Sequence, residues 1–180
     1  MPDFEAEATH AAVLIDKWIA YLDQYSLEQL QQTPAEGGWS LGQVYLHLTM
    51  SANKYFLQNV EKCLNKQDLS TKGNINLGGQ LIFLFGRTPS IRVKMPDKVA
   101  VNPDQPASKE QILDELQALK IRMRDMAVVL RKGYNPKDKR RHAIFGPMNA
   151  WQWYRLPAIH FMHHERQRKR LEGMLKGVVN

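Results

Sequence analysis

The sequence predicts an all-α protein, a four-helix bundle with a long crossover between its second and third helices. Three observations support this fold class. Four segments repeat apolar residues at helical spacing, three of them begin with side chains that cap helices, and a stretch rich in proline and glycine separates the second helix from the third. Helices with one apolar side bury that side against one another, so a bundle follows.

The first predicted helix covers about residues 4–25. Acidic residues at its start suit the positive end of the helix dipole. We expect its apolar side to contain Val13, Leu14, Trp18, Tyr21, Leu22 and Tyr25. A further helical turn is expected at about residues 27–32, before Pro34 ends the pattern.

The second predicted helix covers about residues 41–66 and has the clearest start signal in the chain. Ser40 can cap it, and Gln43 stands three residues later, where its side chain can reciprocate. Trp39 can pack on Val44 as a hydrophobic staple. These signals predict that the helix begins directly after Ser40.

The connection from about residue 67 to residue 107 is too long for a turn between neighbouring helices. It contains several prolines, an alternating apolar stretch at 91–95 and an apolar run at 77–85 that suits one short helix. We interpret it as a crossover. A crossover of this length lets the second and third helices run parallel.

The last two predicted helices also carry capping signals. Ser108 opens the third helix, which ends at Gly133. Asn149 and Gln152 open the fourth, which continues to about residue 176.

The composition of the 180 residues excludes several classes of protein. A single cysteine, Cys63, excludes an internal disulfide framework and a cysteine-rich metal site, and we expect it to be an inert core residue. The longest apolar runs fall far short of the roughly 20 residues that a membrane-spanning helix needs. The acidic N-terminus lacks the basic region of a secretory signal. We therefore expect one cytoplasmic domain over residues 1–180 with no membrane partner.

The fourth predicted helix carries His160, His163 and His164 on its apolar side. His160 and His164 are four residues apart, so their rings lie one above the other. Buried imidazoles need polar partners, and a metal ion would bind one nitrogen of each ring. The alternative is a set of core or boundary histidines with ordinary hydrogen-bond partners. A metal site also needs a third ligand, for which His47, at the edge of the apolar side of the second helix, is the best candidate.

Two stretches of the sequence resemble signatures of the DinB/YfiT-like superfamily. They are residues 39–48, which include His47, and residues 145–167, which include His160 and His164. The family is similar in layout too, because its fold is a four-helix bundle with a long crossover. In its metal-binding members, one histidine of the second helix and two of the last helix hold a nickel or zinc ion. The resemblance therefore implies that His47, His160 and His164 bind a divalent transition metal.

The resemblance also implies what such a site does. Three protein ligands leave one coordination position open, which is typical of catalytic metal sites. The implied activities are a metal-dependent hydrolase and a transferase that activates a low-molecular-weight thiol, each with a small-molecule substrate, and a homodimer is implied as an option. We expect His163 to neighbour the site, Gln167 to orient a ligand or to be a polar residue at the end of the core, and Glu165 to form an ion pair outside the site.

Two other functions stay open at this point. A bundle without metal could be an interaction protein, and the basic stretches at 137–141 and 166–170 could contact nucleic acid. The first stretch is expected in a loop, and the second lies near a helix C-terminus, where basic residues are favoured in any case. Since no recognised nucleic-acid module accompanies them, we do not expect nucleic acid as a partner.

Overall fold

The computed structural model describes residues 1–70, 73–86 and 102–177, and these are mostly helical. The all-α prediction is therefore confirmed. The helices are α1 (Phe4–Leu22), α2 (Leu27–Gln31), α3 (Leu41–Ser51), a π-helical segment (Ala52–Leu57), α4 (Gln58–Leu64), α5 (Leu77–Phe85), α6 (Lys109–Gly133) and α7 (Ala150–Gly177). A short hairpin of β1 (Lys139–His142) and β2 (Gly146–Asn149) precedes α7.

Ion pairs between α1 and α6 show that these two helices are antiparallel neighbours. Near one end of the pair, Arg131 Nη1 lies 3.1 Å from Glu5 Oε1. Further along, Lys120 Nζ lies 2.6 Å from Asp16 Oδ1. Residue numbers therefore rise along one helix as they fall along the other.

Helix α3 and the π-helical segment after it run parallel to α6. The Thr49 hydroxyl donates to the Glu115 carboxylate, and one turn later Arg122 Nη1 donates to Asn53 Oδ1 at 2.9 Å. Residue numbers rise together on both sides of this contact. The crossover therefore joins parallel helices, as its length predicts.

Helix α7 completes the bundle by lying parallel to α1. Arg155 Nε is 3.7 Å from Glu7 Oε2, and Lys17 Nζ is 3.7 Å from Glu165 Oε1, so residue numbers again rise together. Helices α1 and α7 thus point one way, and α3 and α6 point the other. This arrangement brings the second and last long helices side by side.

The predicted helix starts are confirmed. The Gln43 amide N–H donates to Ser40 Oγ at 3.1 Å, and the Ser40 N–H donates to the Gln43 side chain at 3.0 Å. Asn149 and Gln152 form the same reciprocal pair, at 3.0 and 2.9 Å. Ser108 caps α6 in the predicted place.

The buried side of α1 differs from the prediction. Val13 is 62% exposed, and the helix ends at Leu22 rather than near Tyr25. The buried residues are Phe4, Ala8, Ala11, Ile15, Trp18 and Leu22. This side carries small alanines, which let a neighbouring helix approach closely. The prediction relied on large apolar side chains and therefore missed the buried alanines.

The second predicted helix is continuous but contains the π-helical segment. An extra residue per turn frees backbone carbonyls from the α-helical pattern, and side chains accommodate two of them. Asn59 Nδ2 donates to the Tyr55 carbonyl at 2.7 Å, and Arg122 Nη1 donates to the Asn53 carbonyl at 3.1 Å. The segment places Phe56 against α7, where its ring lies 5.3 Å from that of His160.

The basic stretch at 137–141 is not only a loop, because residues from Lys139 onward form β1. This strand pairs with β2, with Arg140 opposite Met148. Arg140 Nε donates to Asn59 Oδ1 at 2.7 Å, and Lys139 Nζ donates to Asn74 Oδ1 at 2.6 Å. The two basic side chains therefore fasten the hairpin to α4 and to the first part of the crossover.

The crossover contains α5 where the sequence predicts a short helix, while the alternating stretch at 91–95 lies outside the described residues. The end of the crossover docks on the start of α3. Gln43 Nε2 donates to the Pro103 carbonyl at 2.7 Å, and Gln31 Nε2 donates to the Pro106 carbonyl at 2.8 Å. These bonds attach the end of the crossover to α2 and to the first turn of α3, the helix that carries His47.

An aromatic layer fills the core next to that helix. The buried Trp18 ring lies edge-on to Tyr45 at 5.1 Å and to Phe161 at 5.6 Å, and the Tyr45 hydroxyl donates to the Trp18 carbonyl at 2.9 Å. Such buried aromatic pairs fix the relative position of α3 and α7. Across the described ranges, no helix combines the length and the apolar character needed to span a membrane.

Candidate metal centre

The structure brings His47, His160 and His164 together. His47 lies on α3, and the two others lie one turn apart on the side of α7 that faces it. One ring nitrogen from each histidine lies within 4.8 Å of the other two, and His47 Nε2 is 2.9 Å from His160 Nε2. Among the residues that the structure describes, this is the one group of three or more histidine, cysteine or acidic side chains with such spacing.

The arrangement of the rings follows from the helical spacing. His160 and His164 are stacked, with ring centroids 4.6 Å apart and an interplanar angle of 13°. The His47 ring lies 4.9 Å from one and 5.0 Å from the other. The pair at i and i+4 therefore forms one wall of the cluster, and the histidine from α3 forms the opposite wall.

Hydrogen bonds outside the cluster orient two of the rings. His164 Nδ1 lies 2.8 Å from Gln167 Oε1, which accepts its proton. His47 Nδ1 lies 3.5 Å from the Ser51 hydroxyl, at the limit of a hydrogen bond. A proton on Nδ1 leaves the lone pair on Nε2, so His164 presents its acceptor nitrogen to the cluster.

Aromatic neighbours cover part of the cluster. The Trp39 ring packs 4.6 Å from the His47 ring, and Phe56 covers His160 on the other side. Burial is the main cause that lowers the pKa of His47 to about 4 and the pKa of His164 to about 3. Burial also lowers the pKa of His160 well below its ordinary value. The three imidazoles are therefore neutral at pH 7.

The cluster fits a divalent transition metal. Neutral imidazole nitrogens are typical ligands of zinc and nickel. A zinc ion that binds nitrogens at about 2.0–2.1 Å in tetrahedral geometry holds them about 3.3 Å apart. The 2.9 Å between His47 Nε2 and His160 Nε2 is close to that separation, and the other separations between the candidate ligand nitrogens are at most 4.8 Å. Three such ligands leave a position for a further group.

His163 lies beside the cluster, as the family resemblance implies. The spacing placed it on the apolar side of the helix, which is wrong, because it is exposed, with its ring edge-on to that of His164 at 5.0 Å. Glu165 points elsewhere, as expected, and pairs with Arg168 at 3.2 Å and with Lys17 at 3.7 Å. Within the described ranges, no carboxylate belongs to the histidine cluster.

Cys63 takes no part in the site. It is 1% exposed, and burial raises the pKa of its thiol to about 12, so it is an inert core residue as predicted.

Sequence reasoning missed three neighbours of the cluster and one buried histidine. Trp39 and Ser51 contact His47, and Phe56 contacts His160. Helical spacing indicates the contact of Ser51, which stands four residues after His47 on the same helix, and gives no signal for the contacts of Trp39 and Phe56. His142 is buried in the hairpin, where its Nδ1 accepts backbone N–H groups two and three residues later. Local turn geometry therefore accounts for His142 without a ligand.

The fold and the site together define a class of protein: a helical bundle whose second and last long helices share a partly buried cluster of three neutral histidines. The family model of the DinB superfamily matches residues 12–167, and the chain belongs to that superfamily. The resemblance stated from the two sequence stretches is confirmed by this match. Comparison with curated proteins gives no match.

Proposed function

We propose that this protein is a metal-dependent enzyme that binds Zn²⁺ or Ni²⁺ through His47, His160 and His164 and acts on a small molecule. The observation that carries the proposal is the convergence of three neutral imidazoles on one point. Their low pKa values support metal binding, because no proton has to be displaced at pH 7. The outer hydrogen bond from His164 to Gln167 is typical of metal-ligating histidines.

When bound, the metal supplies a Lewis acid, which polarises a substrate oxygen or favours the thiolate form of a thiol. The residues around the site then orient a ligand and limit the access of water. Gln167 keeps the proton on Nδ1 of His164, and Trp39 and Phe56 limit the access of water to the ligands.

Two reaction classes suit this site, transfer of a low-molecular-weight thiol and hydrolysis. Thiol transfer is favoured, because a thiol that meets a divalent metal ionises without a neighbouring carboxylate. Among the residues that the structure describes, no carboxylate belongs to the histidine cluster, where it could act as a general base for water. A screen of thiol and ester substrates with zinc-loaded and nickel-loaded protein distinguishes the two classes.

The basic side chains support this proposal over nucleic-acid binding. Arg140 and Lys139 are engaged within the fold, Arg168 is 3% exposed between two glutamates, and Arg170 pairs with Glu36 at 3.1 Å. We expect heparin binding to be weak and without a steep dependence on salt. A metal-free interaction protein is the other alternative, and the homodimer stays a prediction that light scattering can test.

The experiment that tests the proposal is elemental analysis of protein purified without an affinity tag. We expect close to one equivalent of zinc or nickel in the wild type. His160→Ala should lose the metal while circular dichroism shows an unchanged helical content, because the ring lies at the edge of the core and not at its centre. Equal metal content in the two proteins would refute the assignment of ligands.

A further inference from the structure

A cleft of about 430 Å³ opens beside the histidine cluster. One wall is the loop between α2 and α3, and the other wall is the outer side of α7. Its lining residues are Glu36, Gly37, Gly38, Trp39, Gln167 and Arg170. Nothing in the metal site itself requires this cleft.

Two residues of the cleft connect it to the proposed ligands. The Trp39 ring packs on the His47 ring at 4.6 Å, and Gln167 accepts the hydrogen bond from His164 Nδ1. A molecule in the cleft therefore lies next to the outer sides of two of the three histidines. The cleft is in the right place to hold the part of a substrate that does not react.

In the cleft, Arg170 already binds a carboxylate, that of Glu36. Arg170 Nη1 lies 3.1 Å from Glu36 Oε1, and the two side chains are 44% and 60% exposed. An ion pair with that exposure contributes at most about 1 kcal/mol, so another carboxylate can replace Glu36. A guanidinium binds a carboxylate through parallel hydrogen bonds, which makes Arg170 selective for that group.

The loop next to Glu36 leaves space for such a ligand. Gly37 and Gly38 have φ angles of +82° and +103°, a region that favours glycine. No atom lies within 4 Å of the place where a Cβ would stand on either residue. The positions of the two missing Cβ atoms are therefore open space, and the neighbouring Glu36 side chain is 60% exposed.

We propose that this cleft binds the carboxylate group of a small anionic substrate, with Arg170 as the recognition residue and Glu36 as the internal carboxylate that the substrate displaces. The bound molecule then extends past Trp39 and Gln167 towards the histidine cluster. That the ligand is the substrate rests on the proposed function, whereas the carboxylate site rests on the cleft alone. The net charge of +7 favours the approach of an anion.

Succinate is a suitable probe for this site, because it carries carboxylates and no thiol or ester. The indole N–H signal of Trp39 and the amide signals of Gly37 and Gly38 can be followed by nuclear magnetic resonance during a titration. The titration is made first with metal-free protein, after chelation and dialysis, and then with zinc-loaded protein.

Three variants make the test specific. Arg170→Gln should weaken succinate binding about tenfold, because a charge-assisted hydrogen bond is lost. Glu36→Gln should tighten it severalfold, because the competing charge is removed. Lys169→Gln removes the same charge one residue away, on a different side of α7 from the cleft, and should leave the affinity within about twofold of the wild type.

The proposal is overturned if the signals of the cleft do not shift in either metal state, if Arg170→Gln and Lys169→Gln weaken binding equally, or if Glu36→Gln fails to tighten it. The two proposals fail separately. If zinc does not bind but succinate binding follows the expected order of variants, the carboxylate site stands and the metal-dependent function falls. If zinc binds but succinate does not shift the signals of the cleft, the metal site stands and the carboxylate site falls.

Discussion

Gln167 is the residue outside the three proposed metal ligands whose substitution best tests the proposed metal site. Its side chain accepts the Nδ1 proton of His164 at 2.8 Å, and His164 is 8% exposed, so water cannot readily replace it. In Gln167→Met, metal-free His164 can move its proton to Nε2, but the metal-bound form must keep an unpaired N–H on Nδ1. The cost therefore falls on the metal-bound state.

The size of this cost follows from the hydrogen bond. A buried donor left without a partner costs about 1–3 kcal/mol, which is about 5-fold to 150-fold in affinity. Substitutions of such outer partners weaken metal binding by about 10-fold to 100-fold in other proteins. We therefore expect Gln167→Met to weaken zinc binding by at least tenfold, as measured by competition with a fluorescent chelator.

The matched control is Gln167→Glu, which keeps an acceptor and adds a negative charge. Zinc affinity in this variant should equal or exceed that of the wild type, because a carboxylate accepts the His164 proton more strongly. If Gln167→Met binds zinc within twofold of the wild type, or if the two variants weaken binding equally, the orienting role of this hydrogen bond is refuted.

Three further predictions concern the stability of the fold. Burial lowers the pKa of His142 from 6.5 to about 4, so below pH 6.5 the unfolded chain takes up a proton that the folded chain does not. Stability therefore falls as the pH drops from about 6.5 towards 4, by about 2 kcal/mol at pH 5, and His142→Asn should remove this part of the dependence. In Gly42→Ala, the new Cβ would lie 2.6 Å from Pro106 Cγ, and we expect a loss of about 1–3 kcal/mol. Arg168→Met removes the buried guanidinium that pairs with Glu172 at 2.9 Å, while Glu172 keeps Lys176 as a partner at 2.8 Å, and should cost about 1–3 kcal/mol.

Chemical denaturation of the metal-free protein measures all three effects. For His142→Asn, the comparison is the difference in unfolding free energy between pH 8 and pH 5, and an undiminished difference would contradict the assigned role. Gly42→Ala as stable as the wild type would show that Pro106 moves aside at no cost. A loss below about 1 kcal/mol for Arg168→Met would show that water replaces the buried ion pairs.

Features with local causes could be predicted from the sequence. The start of α3 depends on Ser40 and Gln43, three residues apart, and the start of α7 depends on Asn149 and Gln152. The connection rich in proline and glycine could be recognised as a crossover, and its length correctly predicted that α3 and α6 run parallel.

Features with distant causes could not be predicted in this way. The π-helical segment is supported by Arg122 from another helix. Strand β1 is fastened through Lys139 and Arg140 to partners more than 60 residues away. The burial of α1 depends on which side α6 approaches, and helical spacing alone put Val13 inside when it is exposed.

The candidate site also has features with local causes and features with distant causes. The stacking of His160 and His164 follows from their spacing on one helix. The third member, His47, lies at the edge of an apolar side, so its position allows a ligand role without requiring one, and the family resemblance supplied the stronger reason to expect it. The contact of Ser51 with His47 joins residues four apart on one helix, so spacing could have indicated it. The contact of Trp39 with His47 depends on how the loop before α3 folds, and no sequence pattern indicates it.

X-ray absorption spectroscopy at the zinc edge of zinc-loaded protein tests the central claim most directly. We expect three imidazole nitrogens at about 2.0–2.1 Å and no sulfur ligand from the protein, and we expect His160→Ala to lose this first shell because it no longer retains the metal. A first shell with fewer than three imidazoles, or a spectrum that His160→Ala leaves unchanged, would contradict it.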